Sequence, residues 1–174
     1  MPKNANANAS ASTLEREVVI TRVVDAPARL LFAAYTKAEH VKQWFGPPGY
    51  PLTLCEVDFR EGGRFRFAMM GPDGVQGSPF GGRYLEIVKN KRVVYENGFE
   101  EVPPGMPADV AGRMVVTVTF DENENGQTTL TIHTLFDSLA MRNAHMGFGY
   151  EQGVGSTIPA LVAVARAIGE KEST

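Results

Sequence analysis

Cysteine is all but missing from this sequence. Cys55 stands alone among 174 residues, which excludes an internal disulfide and a cysteine-rich zinc site. A reducing, cytoplasmic setting is expected on that ground. Histidine is sparse as well. His40, His133 and His145 fall at none of the spacings that let two imidazoles share a metal on one helix, so no metal and no other cofactor is expected. Positive charge is not in excess. Seventeen Lys and Arg face 20 Asp and Glu, a formal net charge of −3, which argues against a nucleic-acid partner held by phosphate contacts. No apolar run approaches the roughly 18–20 residues of a membrane span, so no membrane insertion is expected. The opening Met1-Pro2-Lys3-Asn4 lacks the apolar stretch of a secretion leader, and none is expected.

What is present is the make-up of a folded domain, with 43% hydrophobic and 21% charged residues. Residues 1–13, MPKNANANASAST, carry no apolar periodicity and are expected to be a disordered tail. Residues 14–172 are expected to form one domain. That part opens on a strand, Glu17 to Val24, rich in β-branched residues. Asp25-Ala26-Pro27 ends it, and Pro27 suits the first turn of a helix carrying Leu30, Leu31, Ala34 and Tyr35. A second short helix, Ala38 to Trp44, stops at Gly46-Pro47-Pro48-Gly49.

Strands broken by turn residues follow at 52–59, 64–70, 83–88, 92–99, 113–120 and 128–136. In the last pair Met114, Val116, Val118 and Phe120 share one face, as do Leu130, Ile132 and Thr134, the alternation of antiparallel strands with one packed face. The chain ends in a helical piece, Ser138 to His145, and a long helix with Val154, Ile158, Leu161, Val162, Ala165 and Ile168 at helical spacing. Gly153, Gly155 and Pro159 predict a kink or a late start there. The apolar face of six or seven antiparallel strands has only this helix long enough to cover it. The expected fold is therefore α+β: a curved antiparallel sheet gripping a C-terminal helix, with two short helices after the first strand plugging one end. A curved sheet cannot touch a straight helix everywhere, so a hollow between them is expected.

Several motifs in order resemble a known family. Asp25-Ala26-Pro27-Ala28, Leu31-Phe32, Thr36 and Trp44-Phe45-Gly46-Pro47 match its N-terminal pattern. Asp58-Phe59-Arg60-Glu61-Gly62-Gly63-Arg64-Phe65 resembles its D-x-R-x-G-G hairpin. Gly81 to Ile87 with Arg92 to Tyr95, and Val116 to Phe120 with Thr128 to Ile132, resemble its later strand pairs. The family is that related to the activator of the heat-shock-protein-90 ATPase, within the START and birch-pollen-allergen (SRPBCC) superfamily. The resemblance spans roughly residues 15–168 and implies the helix-grip fold. The family commonly carries Gly-Trp early in its last helix, where this chain has Gly153-Val154. Either an enlarged cavity, or Tyr150 or Phe148 filling the gap, is expected.

The chemistry-bearing residues read mostly as structure. His40 is expected to be exposed, and His133 to point away from the helix, so His145 is the one histidine placed near an opening. Cys55 lacks a nearby base and reads as a small strand residue. The glycine-rich stretch 71–82 joins strands rather than opening a helix, so it reads as a long hairpin loop and not a phosphate cradle. If Val93, Tyr95 and Phe99 face the helix, Glu96 points outward. The aromatic and methionine set is the better signal. Trp44, Phe67, Met69, Tyr95, Phe99, Met141, His145, Met146 and Tyr150 would together line a sheet–helix cavity, the composition of an apolar ligand site.

The leading expectation is a small soluble protein that binds a hydrophobic or amphipathic small molecule there. The resemblance also implies two alternatives. One is a co-chaperone-like module that acts on a protein partner such as a heat-shock-protein-90-type ATPase. The other is a cyclase- or aromatase-like enzyme with Tyr95, His145 and Tyr150 as its polar groups. No acid–base pair stands out, which leans against an enzyme. A homodimer is a further expectation, on the frequency of such dimers alone.

Overall fold

The computed structural model describes residues 15–108 and 111–174. The expectation of a disordered tail over 1–13 lies outside the described residues. Seven antiparallel strands form one sheet: β1 Glu17–Val24, β2 Leu52–Val57, β3 Arg64–Met69, β4 Phe80–Val88, β5 Arg92–Phe99, β6 Met114–Glu122 and β7 Thr128–Phe136. Their order is β1-β7-β6-β5-β4-β3-β2, so the first strand joins the last and the two halves of the chain close on each other. Between β1 and β2 lie helices α1 (Ala28–Ala33) and α2 (Ala38–Trp44). After β7 come α3 (Leu139–Gly147) and α4 (Tyr150–Glu172).

Alternation along β6 and β7 decides which face is packed. Met114, Val116, Val118 and Phe120 are buried, and so are Leu130, Ile132 and Phe136 opposite them. Each such side chain removed from water contributes on the order of 1.5–3 kcal/mol. Two threonines share that face without penalty. Thr128 donates its hydroxyl hydrogen to the Ala26 carbonyl at 2.7 Å, and Thr134 pairs with the Tyr150 hydroxyl at 2.8 Å. Two irregularities bend the far half of the sheet, one between Leu52 and Leu54 and one between Tyr84 and Glu86. Such bulges increase local curvature, which a sheet needs to wrap a helix.

Helix α4 is gripped in that curve. It runs unbroken over 23 residues, about 34 Å. The expected late start is not found. Gly149, in the left-handed region at φ 82°, separates α3 from α4, and the helix begins at once at Tyr150. Gly153 and Gly155 are accommodated inside it, and Pro159 sits on its exposed side. The buried stripe is Thr157, Ile158, Leu161, Val164 and Ala165, with Val164 in the place expected for Val162. The last turns are tied to the start of the fold. Arg166 donates to the carbonyl and carboxylate of Asp25, and Arg29 pairs with Glu172 at 2.7 Å. These are exposed pairs and contribute little. The plug at one end is stronger. Trp44 is 4% exposed, packs at a tilt against Tyr35 with ring centroids 4.6 Å apart, and donates its indole N–H to the Ala34 carbonyl at 2.9 Å.

Strand β4 begins at Phe80, three residues before its expected start, because Gly81 and Gly82 continue the ladder. A β-carbon at Gly81 would lie 2.1 Å from the Phe65 carbonyl oxygen, so only glycine allows that close pairing.

Candidate functional site

Sheet and helix do not meet everywhere. Between them lies a half-open cavity of about 270 Å³. Its floor is the inner face of the sheet: Val116 and Val118 of β6 and Ile132 of β7, with Tyr95, Asn97 and Phe99 of β5. Its roof is the first three turns of α4, with Tyr150, Gly153, Val154, Thr157, Ile158 and Leu161. One side is closed by Tyr35, Trp44, Phe45 and Pro47, and the other by Met141 and His145 of α3. Tilted ring contacts link Tyr35, Trp44, Phe45 and Phe80 into a continuous aromatic wall.

Of the nine residues expected to line such a cavity, seven do so: Trp44, Met69, Tyr95, Phe99, Met141, His145 and Tyr150. Phe67 and Met146 lie outside the wall. Phe67 is buried against Phe45, Phe65 and Phe80, and Met146 packs against the core. The alternation places Phe67 on the inner face, but the neighbouring rings cover it. Asn97 belongs to the wall and was missed. It shares the odd parity of Val93, Tyr95 and Phe99, which is the signal that marks it as inward.

The gap at Gly153-Val154 stays open. A β-carbon at Gly153 would meet nothing within 4 Å, and Val154 lines the cavity. Phe148 does not fill the space, since it is 75% exposed. Tyr150 lies on the wall, held by Thr134.

Among the described residues no Asp, Glu, Lys or Arg lines this cavity. Most of its polar groups are occupied. The Trp44 indole and the Tyr150 hydroxyl are bonded as described, and Thr157 donates its hydroxyl hydrogen to the Val154 carbonyl at 2.7 Å. The His145 ring packs between Phe136 and Tyr150, at 5.2 and 5.9 Å. Burial pushes the phenols of Tyr35 and Tyr95 up, and that of Tyr150 up to about 12, against a smaller opposing effect of the Thr134 hydrogen bond. All three are uncharged near neutral pH. Asn97 differs from the rest: its Oδ1 is buried and has no hydrogen-bond partner.

The remaining candidates are placed elsewhere. His133 points outward and faces Glu17 at 3.2 Å, and His40 is half-buried rather than exposed. The Cys55 thiol lies 3.6 Å from the Ala38 carbonyl, and burial raises its pKa. Glu96 faces outward toward Arg113 at 3.7 Å. It lines a shallow charged trough of about 430 Å³ on the far side of the sheet with Arg64, Arg66, Arg83 and Glu100. Among the described residues no group of three or more His, Cys, Asp or Glu could hold a metal ion. Nor is any helix among them long and apolar enough to cross a membrane.

A curved seven-stranded sheet wrapped on a C-terminal helix, with an apolar hollow between them, defines a helix-grip protein. The sequence comparison narrows this. The family described as "Activator of Hsp90 ATPase homolog 1-like protein" matches residues 25–166, and the chain belongs to it. No curated protein matches the chain. Solved structures do. A protein from Nitrosomonas europaea is 25% identical, with 90% of this chain and 97% of that one covered at a TM-score of 0.76. One from Arthrobacter aurescens is 25% identical, with 89% and 88% covered at 0.77. One from Staphylococcus epidermidis is 26% identical, with 87% and 90% covered at 0.72.

Proposed function

We propose that this protein binds a hydrophobic or amphipathic small molecule in the cavity between sheet and helix. The observation that carries the reading is the cavity itself: about 270 Å³, walled by aromatic, aliphatic and methionine side chains, with no Asp, Glu, Lys or Arg among the described residues of its lining. Taking about 30 Å³ per water, the space is that of roughly nine waters, or on the order of ten non-hydrogen atoms. Apolar walls of that composition gain dispersion contacts from an apolar ligand. Cys55 is free, which fits a reducing, cytoplasmic setting.

Native mass spectrometry followed by organic extraction reads any small molecule carried through purification. Titration of the stripped protein with 2-naphthol, which has 11 non-hydrogen atoms, then reads the empty cavity. A saturable one-to-one complex is expected. Val154→Trp, which fills the hollow, is expected to weaken that complex at least tenfold while the protein still unfolds cooperatively. A wild-type protein that carries no adduct and binds no probe overturns the proposal. The family description names an ATPase of the heat-shock-protein-90 type, so stimulation of such an ATPase by the purified chain is the assay to run next in that event.

A further inference from the structure

We infer that Asn97 is the polar anchor of the cavity, and that the molecule bound there presents an uncharged hydrogen-bond donor, a hydroxyl or an N–H, to its Oδ1. The inference rests on the cavity being a binding site. Asn97 stands on β5 between Tyr95 and Phe99, two residues from each and on the same face, and opposite Met114 of β6. All four line the cavity. The Asn97 Oδ1 atom is buried and unpartnered. A buried acceptor with no donor forfeits the hydrogen bonds it made to water, and folded proteins rarely tolerate this without a reason. At this position an aliphatic side chain would pack as well as its neighbours do, so an amide is a liability to the empty fold and an asset only when something completes it.

The rest of the wall defines what completes it. Among the described residues no Lys or Arg lines the cavity to receive a carboxylate or phosphate, and no Asp or Glu to receive an ammonium group. A charge brought against so apolar a wall would be unpaired, so the donor is neutral. The space around the amide is apolar and aromatic, which leaves the remainder of the molecule a hydrocarbon or aromatic body on the order of ten non-hydrogen atoms. A phenol, a small cyclic alcohol or an N–H heterocycle has this chemistry.

The test compares three 2-substituted naphthalenes in the full chain and in Asn97→Leu. 2-Naphthol donates and accepts, 2-methoxynaphthalene accepts only, and 2-methylnaphthalene does neither. The ratio of affinities within one protein cancels hydrophobicity. The 2-naphthol to 2-methylnaphthalene ratio is expected to fall roughly three- to tenfold in Asn97→Leu, as for one net hydrogen bond. 2-Methoxynaphthalene is expected to follow the hydrocarbon. Equal changes for all three probes overturn the anchor and leave the cavity reading standing. 2-Methoxynaphthalene following 2-naphthol overturns the donor requirement. No binding of any probe to the wild-type protein overturns the cavity reading, and the anchor with it. A ligand-free readout is independent of all three. The Asn97→Leu melting temperature is expected to equal or exceed that of the wild type, and a clear drop overturns the inference by showing that the amide is a structural bond.

Discussion

Replacing Gly153 by alanine tests the open hollow through stability, with no ligand at all. Gly153 is in the second turn of α4, where its N–H donates to the Gly149 carbonyl at 2.8 Å. Its φ is not in the left-handed region, and a β-carbon there would meet no atom within 4 Å. Alanine therefore gains helix propensity over glycine without strain or clash. The gain is about 0.5–1 kcal/mol, because glycine loses more backbone freedom on folding. For a chain of this length that is about 1–4 °C in melting temperature. The methyl adds little packing, since nothing is near enough to touch it.

Gly169 supplies the matched control on the same helix. A β-carbon there would lie 2.8 Å from Leu30 Cδ1, and Leu30 is buried. The same propensity gain is then offset by overpacking, which costs about 1–3 kcal/mol where the neighbour cannot move away. The two variants are expected to differ by about 1 kcal/mol or more, with Gly153→Ala the more stable. Urea unfolding followed by Trp44 fluorescence reads both, with the denaturant slope unchanged. A Gly153→Ala protein less stable than wild type by 0.5 kcal/mol or so would refute the geometry, because it would mean that the roof of the cavity already touches the sheet.

Two further outcomes follow from the same structure. Trp44→Ala is expected to cost about 3–5 kcal/mol in urea unfolding followed by circular dichroism, since it removes a buried ring and its bond to Ala34; a loss below about 1 kcal/mol would contradict the plug. Alkaline stability depends on the buried phenols. Tyr35, Tyr84, Tyr95 and Tyr150 all have pKa values raised by burial above the ordinary 10.0. The unfolded chain therefore releases those protons first, so stability holds below about pH 10 and falls as pH rises through and beyond it. Absorbance at 295 nm is expected to show these phenols ionising together with unfolding, and their ionisation in a still-folded protein would contradict the burial.

Periodicity carried most of the fold. Strand and helix bounds follow from alternation and from turn residues because those patterns are local: β1, β5, β7 and α2 occupy the ranges read from the sequence. Local patterning failed where the decisive contact is remote. Gly81 and Gly82 read as turn residues, yet they extend β4, because what they need is a close approach of neighbouring backbone, β3 at Gly81 and β5 at Gly82. The glycines of α4 read as interruptions, yet the helix runs through them, because α1, α2 and β1 pack along it and Gly149 alone supplies the break. Tertiary packing overrides a propensity cost of about 1 kcal/mol per glycine.

The candidate site divides along the same line. Which residues face inward was decided by the sequence, since side chains alternate on a strand and recur on a helix; Tyr95, Phe99, Met69 and Asn97 all follow from parity. Which inward residues border empty space was decided only by the tertiary structure. Phe67 and Met69 share a strand face, but rings from β4 and the α2 end cover the first and leave the second on the cavity. That difference depends on how far the curved sheet stands off a straight helix at each point. It is a property of the assembled elements and is written in none of them singly.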